Sequence, residues 1–155
     1  MNRRIMISLV ALLIAGFFIA HGTFSAPSPQ STRKVYNAPE KTVQAPFSDG
    51  ILAGNALYLA GRIGLDPKTG QAPAQIEDEV KLMMESLKGT LTQAGMTVDD
   101  IVYVQVFATD LSQYDKFNSL YKSYFTKDFP ARAFIGVASL LRGGHFELQA
   151  IAVKR

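Results

Sequence analysis

Cysteine is absent from this 155-residue chain, and histidine occurs only twice. The absence of cysteine excludes disulfide bonds, thiolate metal sites and a cysteine nucleophile. Outside the apolar N-terminal segment the chain has one histidine, His145, and its position beside Gly143 and Gly144 favours a strand end over a catalytic role. Because no second histidine and no acidic cluster at ligand spacing accompanies it, the sequence predicts no metal site and no cofactor.

The sequence also lacks the basic stripe that tracks a nucleic-acid backbone. The formal net charge is +3, and loss of the two positive charges of Arg3 and Arg4 with an N-terminal signal would leave +1. The remaining lysines and arginines are scattered among acids, which argues against a nucleic-acid partner. Neither a glycine-rich phosphate loop nor a Ser-His-Asp set can be assembled.

The N-terminus has the pattern of a secretory signal peptide over residues 1–25. Arg3 and Arg4 form a positive n-region, residues 5–20 form an apolar h-region, and small residues follow. Cleavage after Ser25 is favoured over cleavage after Gly22. An apolar run of about 16 residues is short for a bilayer span of about 20, so membrane anchoring by an uncleaved signal is the less favoured alternative. The prediction is a periplasmic or secreted protein.

The rest of the chain divides into a linker and one domain. Residues 26–41 are rich in proline, serine and charge and show no apolar period, which predicts a flexible linker. Residues 42–155 have room for a single domain with a substantial core.

Within the domain, apolar periodicity predicts the order β-β-α-β-α-β-β. Two strand-like runs flank Gly54-Asn55, residues 74–94 and the stretch opened by Ser112 have helical spacing, and residues 101–110 are typical of an interior strand. This order predicts an α+β fold, a mixed sheet with both helices on one face. No third helix is available for the other face, so we expect an oligomer in which sheets pack together.

Two C-terminal strand-like runs each carry a charge that a packed sheet would not favour, Arg132 and Glu147. A hairpin turn at Arg142-Gly143 would put both charges on the same face, roughly 20 Å apart. That distance is too long for one small molecule within a chain. The pattern alone therefore leaves three interpretations: the two charges serve different places, they meet across subunits, or each is a rim residue satisfied by solvent or a salt bridge.

Three stretches together resemble the RidA (YjgF-type) imine/enamine deaminase family. They are "NALYLAGRIGLDPKTG", "TLTQAGMTVDDIVYVQVFATDLSQYDKFNSLYKSYF" and "FPARAFIGVASL" followed by "FELQAIAV", and the resemblance spans about Val43 to Arg155. It implies a chorismate-mutase-like α+β protomer and a homotrimer with clefts at the subunit interfaces. It also implies hydrolysis of a 2-imino acid to a 2-oxo acid and ammonia.

The resemblance assigns roles to individual residues. Arg132 would hold the substrate carboxylate, which suits the fork geometry of guanidinium, and Glu147 would orient or activate water. Gly61 and Asn118 match family positions, and the backbone N–H of Phe134 would help to hold the carboxylate. By its residue type alone, Asn118 is more typical of an exposed helix position.

Four side chains depart from the family pattern. Phe47 stands where many members have tyrosine, Ala60 where they have serine, Phe134 where they often have cysteine, and Arg62 where glutamine is common. Losing two hydroxyl groups predicts a more apolar, differently shaped pocket.

The first interpretation of the function is an exported imine deaminase, and the alternative is a non-catalytic trimeric protein that binds small carboxylates or apolar ligands. Endoribonuclease action is disfavoured by the near-neutral charge.

Overall fold

A computed structural model describes residues 33–38 and 45–155 of the chain. These residues form six strands and two α-helices, which confirms the predicted α+β class. In chain order the elements are β1 (Arg33–Tyr36), β2 (Gly50–Ala53), β3 (Ala56–Arg62), α1 (Ile76–Gln93), β4 (Ile101–Ala108), α2 (Tyr114–Tyr121), β5 (Ala131–Gly136) and β6 (Phe146–Val153). The predicted signal peptide lies outside the described residues.

The six strands form one mixed sheet in the order β1-β2-β3-β6-β4-β5. All neighbouring strands are antiparallel except β4 and β5, which are parallel. The parallel pair follows from the connection, because α2 carries the chain back to the start of the neighbouring strand as in a βαβ unit. The β2–β3 hairpin turns at Gly54-Asn55 as predicted, with Gly54 at a φ of +63°.

Both helices cover one face of the sheet. The apolar stripe of α1 from Val80 to Leu91 is buried, and so are the β3, β4 and β6 residues that point toward the helices. The side chains that share this core include Leu57, Val80, Met83, Met84, Leu87, Leu91, Val104, Val106, Phe146 and Leu148. The neighbouring residues Met83 and Met84 both belong to this core. Neither described helix is long and apolar enough to cross a bilayer.

The structure adds the strand β1, which the sequence did not predict. Residues Arg33 to Tyr36 pair antiparallel with β2, and Tyr36 is only 8% exposed. The Asp49 carboxylate accepts the backbone N–H of Ala38 at 2.8 Å, and the backbone N–H of Asp49 donates to the Asn37 side chain at 3.0 Å. The flexible linker predicted over 26–41 is thus wrong for these residues, and the predicted order lacks its first strand.

The structure also corrects the predicted pairing of the last two strands. β5 and β6 do not form a hairpin, because β4 lies between them. Their connection crosses the end of β4, where Val137 N–H donates to Ala108 C=O at 2.9 Å and Thr109 N–H donates to His145 C=O at 3.0 Å. Arg142 belongs to a 3₁₀ turn, Leu141–Gly143, with a φ of +59°.

Candidate active site

Arg132 lies on the helix-covered face of β5. It is paired with Val104 of β4, which is fully buried under the helices, and paired residues of a sheet share a face. One guanidinium nitrogen, Nη2, donates to Oδ1 of Asn118 on α2 at 2.8 Å and lies 3.4 Å from the Tyr114 hydroxyl. The helix α2 therefore fixes the direction of the guanidinium.

Aromatic rings surround the Arg132 guanidinium. Its Cζ lies 4.9 Å from the ring centre of Tyr121, 5.6 Å from Phe134, 5.7 Å from Tyr114 and 5.9 Å from Phe117. Among the described residues no carboxylate lies within ion-pair distance of it. The positive charge is thus stabilised by ring faces and one amide, without a fixed anion.

A cleft of about 430 Å³ opens beside this guanidinium, and we call it the arginine cleft. Its lining residues are Asn118, Tyr121, Lys122, Phe129, Pro130 and Arg132. The lining carries two cations and no acid, and Phe129 is 61% exposed. An anion with an attached apolar group fits this combination.

Glu147 lies on the other face of the sheet, which no described helix covers. It is paired with Phe107 of β4, and the side chains of β4 alternate between the two faces. A second cleft of about 580 Å³ contains its carboxylate, and we call it the glutamate cleft. Phe47, Ala60, Ile63, Leu65 and Leu141 make its lining largely apolar.

Gly61 creates the space for the Glu147 carboxylate. The register of β3 against β6 shifts between Leu59 and Arg62, so Gly61 lies at a β-bulge. A Cβ on residue 61 would stand 1.9 Å from Oε1 of Glu147, far inside contact distance. Only glycine lets the carboxylate approach the β3 backbone this closely.

Arg62 connects β3 to α1. Its guanidinium donates to Ser86 Oγ at 2.9 Å and to Thr90 Oγ1 at 3.1 Å. Burial lowers the pKa of Arg62, and nearby Asp49 opposes that shift. Its hydrogen bonds make Arg62 an anchor between strand and helix, although it also borders the glutamate cleft.

A buried carboxylate holds the start of β6. Glu79 of α1 is fully buried and accepts the backbone N–H of His145 at 2.8 Å and of Phe146 at 3.0 Å. Its other oxygen lies 2.5 Å from Nδ1 of His145. His145 directly precedes β6, as predicted, and the three contacts fix the backbone two residues before Glu147.

The structure divides the predicted site residues between the two clefts. Arg132 and Asn118 meet at the arginine cleft, while Phe47, Gly61 and Glu147 border the glutamate cleft. The Phe134 side chain packs against Tyr114 and Phe117 at centroid distances of 4.9 and 5.4 Å, and lines neither cleft.

The prediction that Arg132 and Glu147 share a face is wrong. Their strands lie on either side of β4, and their β4 partners, Val104 and Phe107, are three residues apart. At about 4.8 Å per strand and 3.3 Å per residue, the backbones are roughly 14 Å apart. One chain therefore does not bring both charges to one small molecule.

Sequence reasoning missed Tyr114 and Tyr121 as neighbours of Arg132. Both lie one helical turn from Asn118, at i−4 and i+3, and this spacing was the available signal. It also missed Glu79, which looks like one more acidic residue in a first helical turn. Within residues 33–38 and 45–155 no group of three His, Cys, Asp or Glu side chains is arranged to hold a metal ion.

Comparisons with known proteins find relatives that cover about three quarters of the chain. Residues 36–154 match the family described as Endoribonuclease L-PSP. A RutC family protein of Pyrococcus horikoshii is 37% identical over 119 residues, which cover 76% of this chain and 93% of the relative. The 2-iminobutanoate/2-iminopropanoate deaminase of Escherichia coli K12 is 35% identical over 122 residues, covering 77% and 94%. The crystal structure of E. coli TdcF with bound serine superposes with a TM-score of 0.73 at 31% identity, covering 79% and 99%.

Proposed function

Because this chain belongs to the Endoribonuclease L-PSP family, the family of the RidA (YjgF-type) deaminases, we propose that it hydrolyses 2-imino acids and their enamine tautomers. The products are a 2-oxo acid and ammonia. The observation that carries the proposal is the Arg132 guanidinium, which is held by Asn118 and aromatic rings beside an open cleft and forms no ion pair among the described residues. The deaminase name of the E. coli relative supports the reaction class.

In this proposal Arg132 binds the substrate carboxylate. A guanidinium has five N–H donors, and the strongest contact of Arg132 within the described chain uses one of them, toward Asn118. The remaining donors can form the paired hydrogen bonds that a carboxylate accepts. The backbone N–H of Phe134, on the edge strand β5, is the proposed additional donor.

Glu147 is the proposed base for water. The water oxygen attacks C2 of the imine while Glu147 accepts a proton, and this proton passes to nitrogen in the tetrahedral intermediate. The second water proton also reaches nitrogen as the C–N bond breaks, so ammonia leaves and the C2 carbonyl forms. The lining of the glutamate cleft is mostly apolar, and Asp49, Arg62 and Arg142 also border it.

We propose that the active unit is a homotrimer with its clefts at subunit interfaces. The arginine cleft of one protomer would then face the glutamate cleft of the next, which resolves the placement of Arg132 and Glu147 on opposite faces. The open face supports association, since Tyr58 is 52% and Ile135, the β5 partner of Phe107, is 38% exposed. The serine bound to E. coli TdcF is a small molecule with a carboxylate, the ligand class proposed here.

A second candidate function is ligand binding without turnover. Phe47 and Ala60 both border the glutamate cleft, where many family members carry hydroxyl groups, and neither side chain offers one. A trimeric protein that binds small carboxylates or apolar ligands would use the same clefts.

An oxidase-coupled assay separates these functions. An amino-acid oxidase generates imino acids in place, and the protein should accelerate ammonia release. Arg132→Ala and Arg132→Lys should both abolish the acceleration. The lysine ammonium keeps the positive charge but cannot form the paired hydrogen bonds of a guanidinium with a carboxylate. Glu147→Gln should retain binding and lose turnover. Ligand-dependent thermal shifts without faster release would instead identify a binding protein.

Two controls address the remaining alternatives. RNA incubated with the same preparation should stay intact, and dissociation of the oligomer in Arg132→Ala would assign Arg132 to an interface.

We also propose that the N-terminal segment directs export of the chain, on the basis of its charged and apolar regions. Cell fractionation and N-terminal sequencing should find a periplasmic or secreted chain that begins at Ala26.

A further inference from the structure

The aromatic residues around Arg132 form what we call the guanidinium cage: Tyr114, Phe117, Tyr121 and Phe134. Phe117 is fully buried, Tyr121 is 4% exposed, and all four rings lie within 6 Å of the guanidinium carbon. A partly buried charge needs compensation. A carboxylate could supply it, but it would occupy the same N–H donors that a ligand carboxylate needs. Ring faces attract the cation while leaving most N–H donors open.

Tyr121 differs from the other three cage residues. Its ring is nearest to the guanidinium, at 4.9 Å, and it alone among the four also lines the arginine cleft. It lies three residues after Asn118 on α2, so one helix face presents both the amide and the ring to Arg132. Phe125 packs against the Tyr121 ring at 4.8 Å and restricts its movement.

The Tyr121 hydroxyl takes no part in this arrangement. It is buried and has no hydrogen-bond partner among the described residues. Its contact with Arg132 is therefore through the ring.

We propose that Tyr121 is a positioning residue whose ring holds the Arg132 guanidinium in the arginine cleft, so that its charge stays available to a ligand carboxylate. The inference rests on the proposed function of Arg132 as the carboxylate anchor. It adds that this arginine is preorganised by a ring and not by an acid.

The test compares wild type with Tyr121→Phe, Tyr121→Leu and a matched core control, Phe146→Leu. Phe146 is fully buried and packs against Phe117 at 4.9 Å, but forms no ring contact with the Arg132 guanidinium. NMR relaxation of the Arg132 Nε–H group, assigned by its loss in Arg132→Ala, reports side-chain order without any ligand. Titration with 2-oxobutanoate, a stable 2-oxo acid, reports carboxylate binding.

Tyr121→Leu should disorder the Arg132 side chain and raise the Kd for 2-oxobutanoate about 2- to 30-fold. Tyr121→Phe should keep Arg132 as ordered as in wild type and leave the Kd for 2-oxobutanoate unchanged. Phe146→Leu should lower Tm without changing the order of Arg132 or the Kd. If Arg132 stays ordered in Tyr121→Leu, or if 2-oxobutanoate binds Tyr121→Leu as it binds wild type, the inference is overturned. If wild type binds 2-oxobutanoate no better than Arg132→Ala does, the carboxylate role of Arg132 fails, and the role of Tyr121 in ligand capture fails with it.

Discussion

Arg132 and Glu147 occupy opposite faces of one sheet, although both belong to strands that pair with β4. Their partners on β4, Val104 and Phe107, are separated by three residues, an odd number, so strand alternation directs them to different sides. The two charges therefore lie on two different surfaces of the chain. A reaction that needs both at one molecule needs two chains.

Mixing two inactive variants tests this requirement directly. Arg132→Ala and Glu147→Gln should each be inactive alone. If the proposed homotrimer forms, oligomers refolded from an equal mixture should recover about one quarter of wild-type activity, because one interface site in four would receive an intact residue from each chain. The measurement is the oxidase-coupled ammonia assay. A mixture that stays inactive while exchanging subunits would refute a site shared between chains.

Gly61→Ala should abolish most activity while leaving the fold intact. The new Cβ would stand 1.9 Å from Oε1 of Glu147 and would displace its carboxylate. Gly89→Ala is the control, since nothing lies within 4 Å of a Cβ there and residue 89 is inside α1. It should raise stability by about 0.5–1 kcal/mol with activity unchanged. Activity assays and thermal unfolding measure the activity and the stability of the two variants. A fully active Gly61→Ala variant would show that the position of the Glu147 carboxylate is not critical.

Replacing Glu79 should destabilise the fold in a graded way. Glu79→Gln retains an acceptor for the two backbone N–H groups of His145 and Phe146, and loses the negative charge beside the imidazole. Glu79→Ala leaves both N–H groups buried and unpaired, at about 1–3 kcal/mol for each. In denaturant unfolding, the free energy of unfolding should be highest for wild type, lower for Glu79→Gln and lowest for Glu79→Ala. Equal losses in both variants would mean that the N–H acceptor contributes nothing.

Removing β1 should lower Tm by several degrees. A chain beginning at Asn37 loses the pairing of Arg33–Tyr36 with β2 and the buried Tyr36 ring. A chain beginning at Thr32 should melt like one beginning at Ala26, because residues 26–31 carry no pattern able to bury surface. Thermal unfolding of the three chains decides the matter, and identical midpoints would show that β1 adds nothing to the core.

Tyr121→Phe should be at least as stable as wild type at neutral pH, since it removes a buried hydroxyl without a partner. Burial raises the pKa of Tyr121 to about 12 in the folded chain, although neighbouring Arg132 acts in the opposite direction. The folded state therefore keeps the proton that the unfolded state releases near pH 10. Stability from this group is complete below pH 10 and is lost as pH rises toward 12. Unfolding midpoints of wild type should fall faster than those of Tyr121→Phe across this range, and parallel curves would contradict it.

The sequence predicted the helices and strands whose apolar spacing is visible within a single stretch of chain. The stripe of α1 and the apolar run of β4 are readable because their spacing recurs over many residues. β1 has four residues, and three of them are exposed, so its strand depends on pairing with β2 and leaves little periodicity. The sequence did not reveal that Arg132 and Glu147 lie on opposite faces, because strand pairing depends on contacts between residues far apart in the chain. We predicted a hairpin of β5 and β6 because these strands are consecutive in sequence, but β4 lies between them in the sheet.

The central position of β6 has a consequence for synthesis. Phe146–Val153 pairs with β3 on one side and β4 on the other, so the first three strands and the last two of the sheet are joined only through this strand. A ribosome adding about 5–20 residues per second would release all other strands before β6 emerges. Until then the two halves of the sheet have no common partner. The growing polypeptide therefore stays without its complete core until translation has passed Val153 and β6 has left the ribosome.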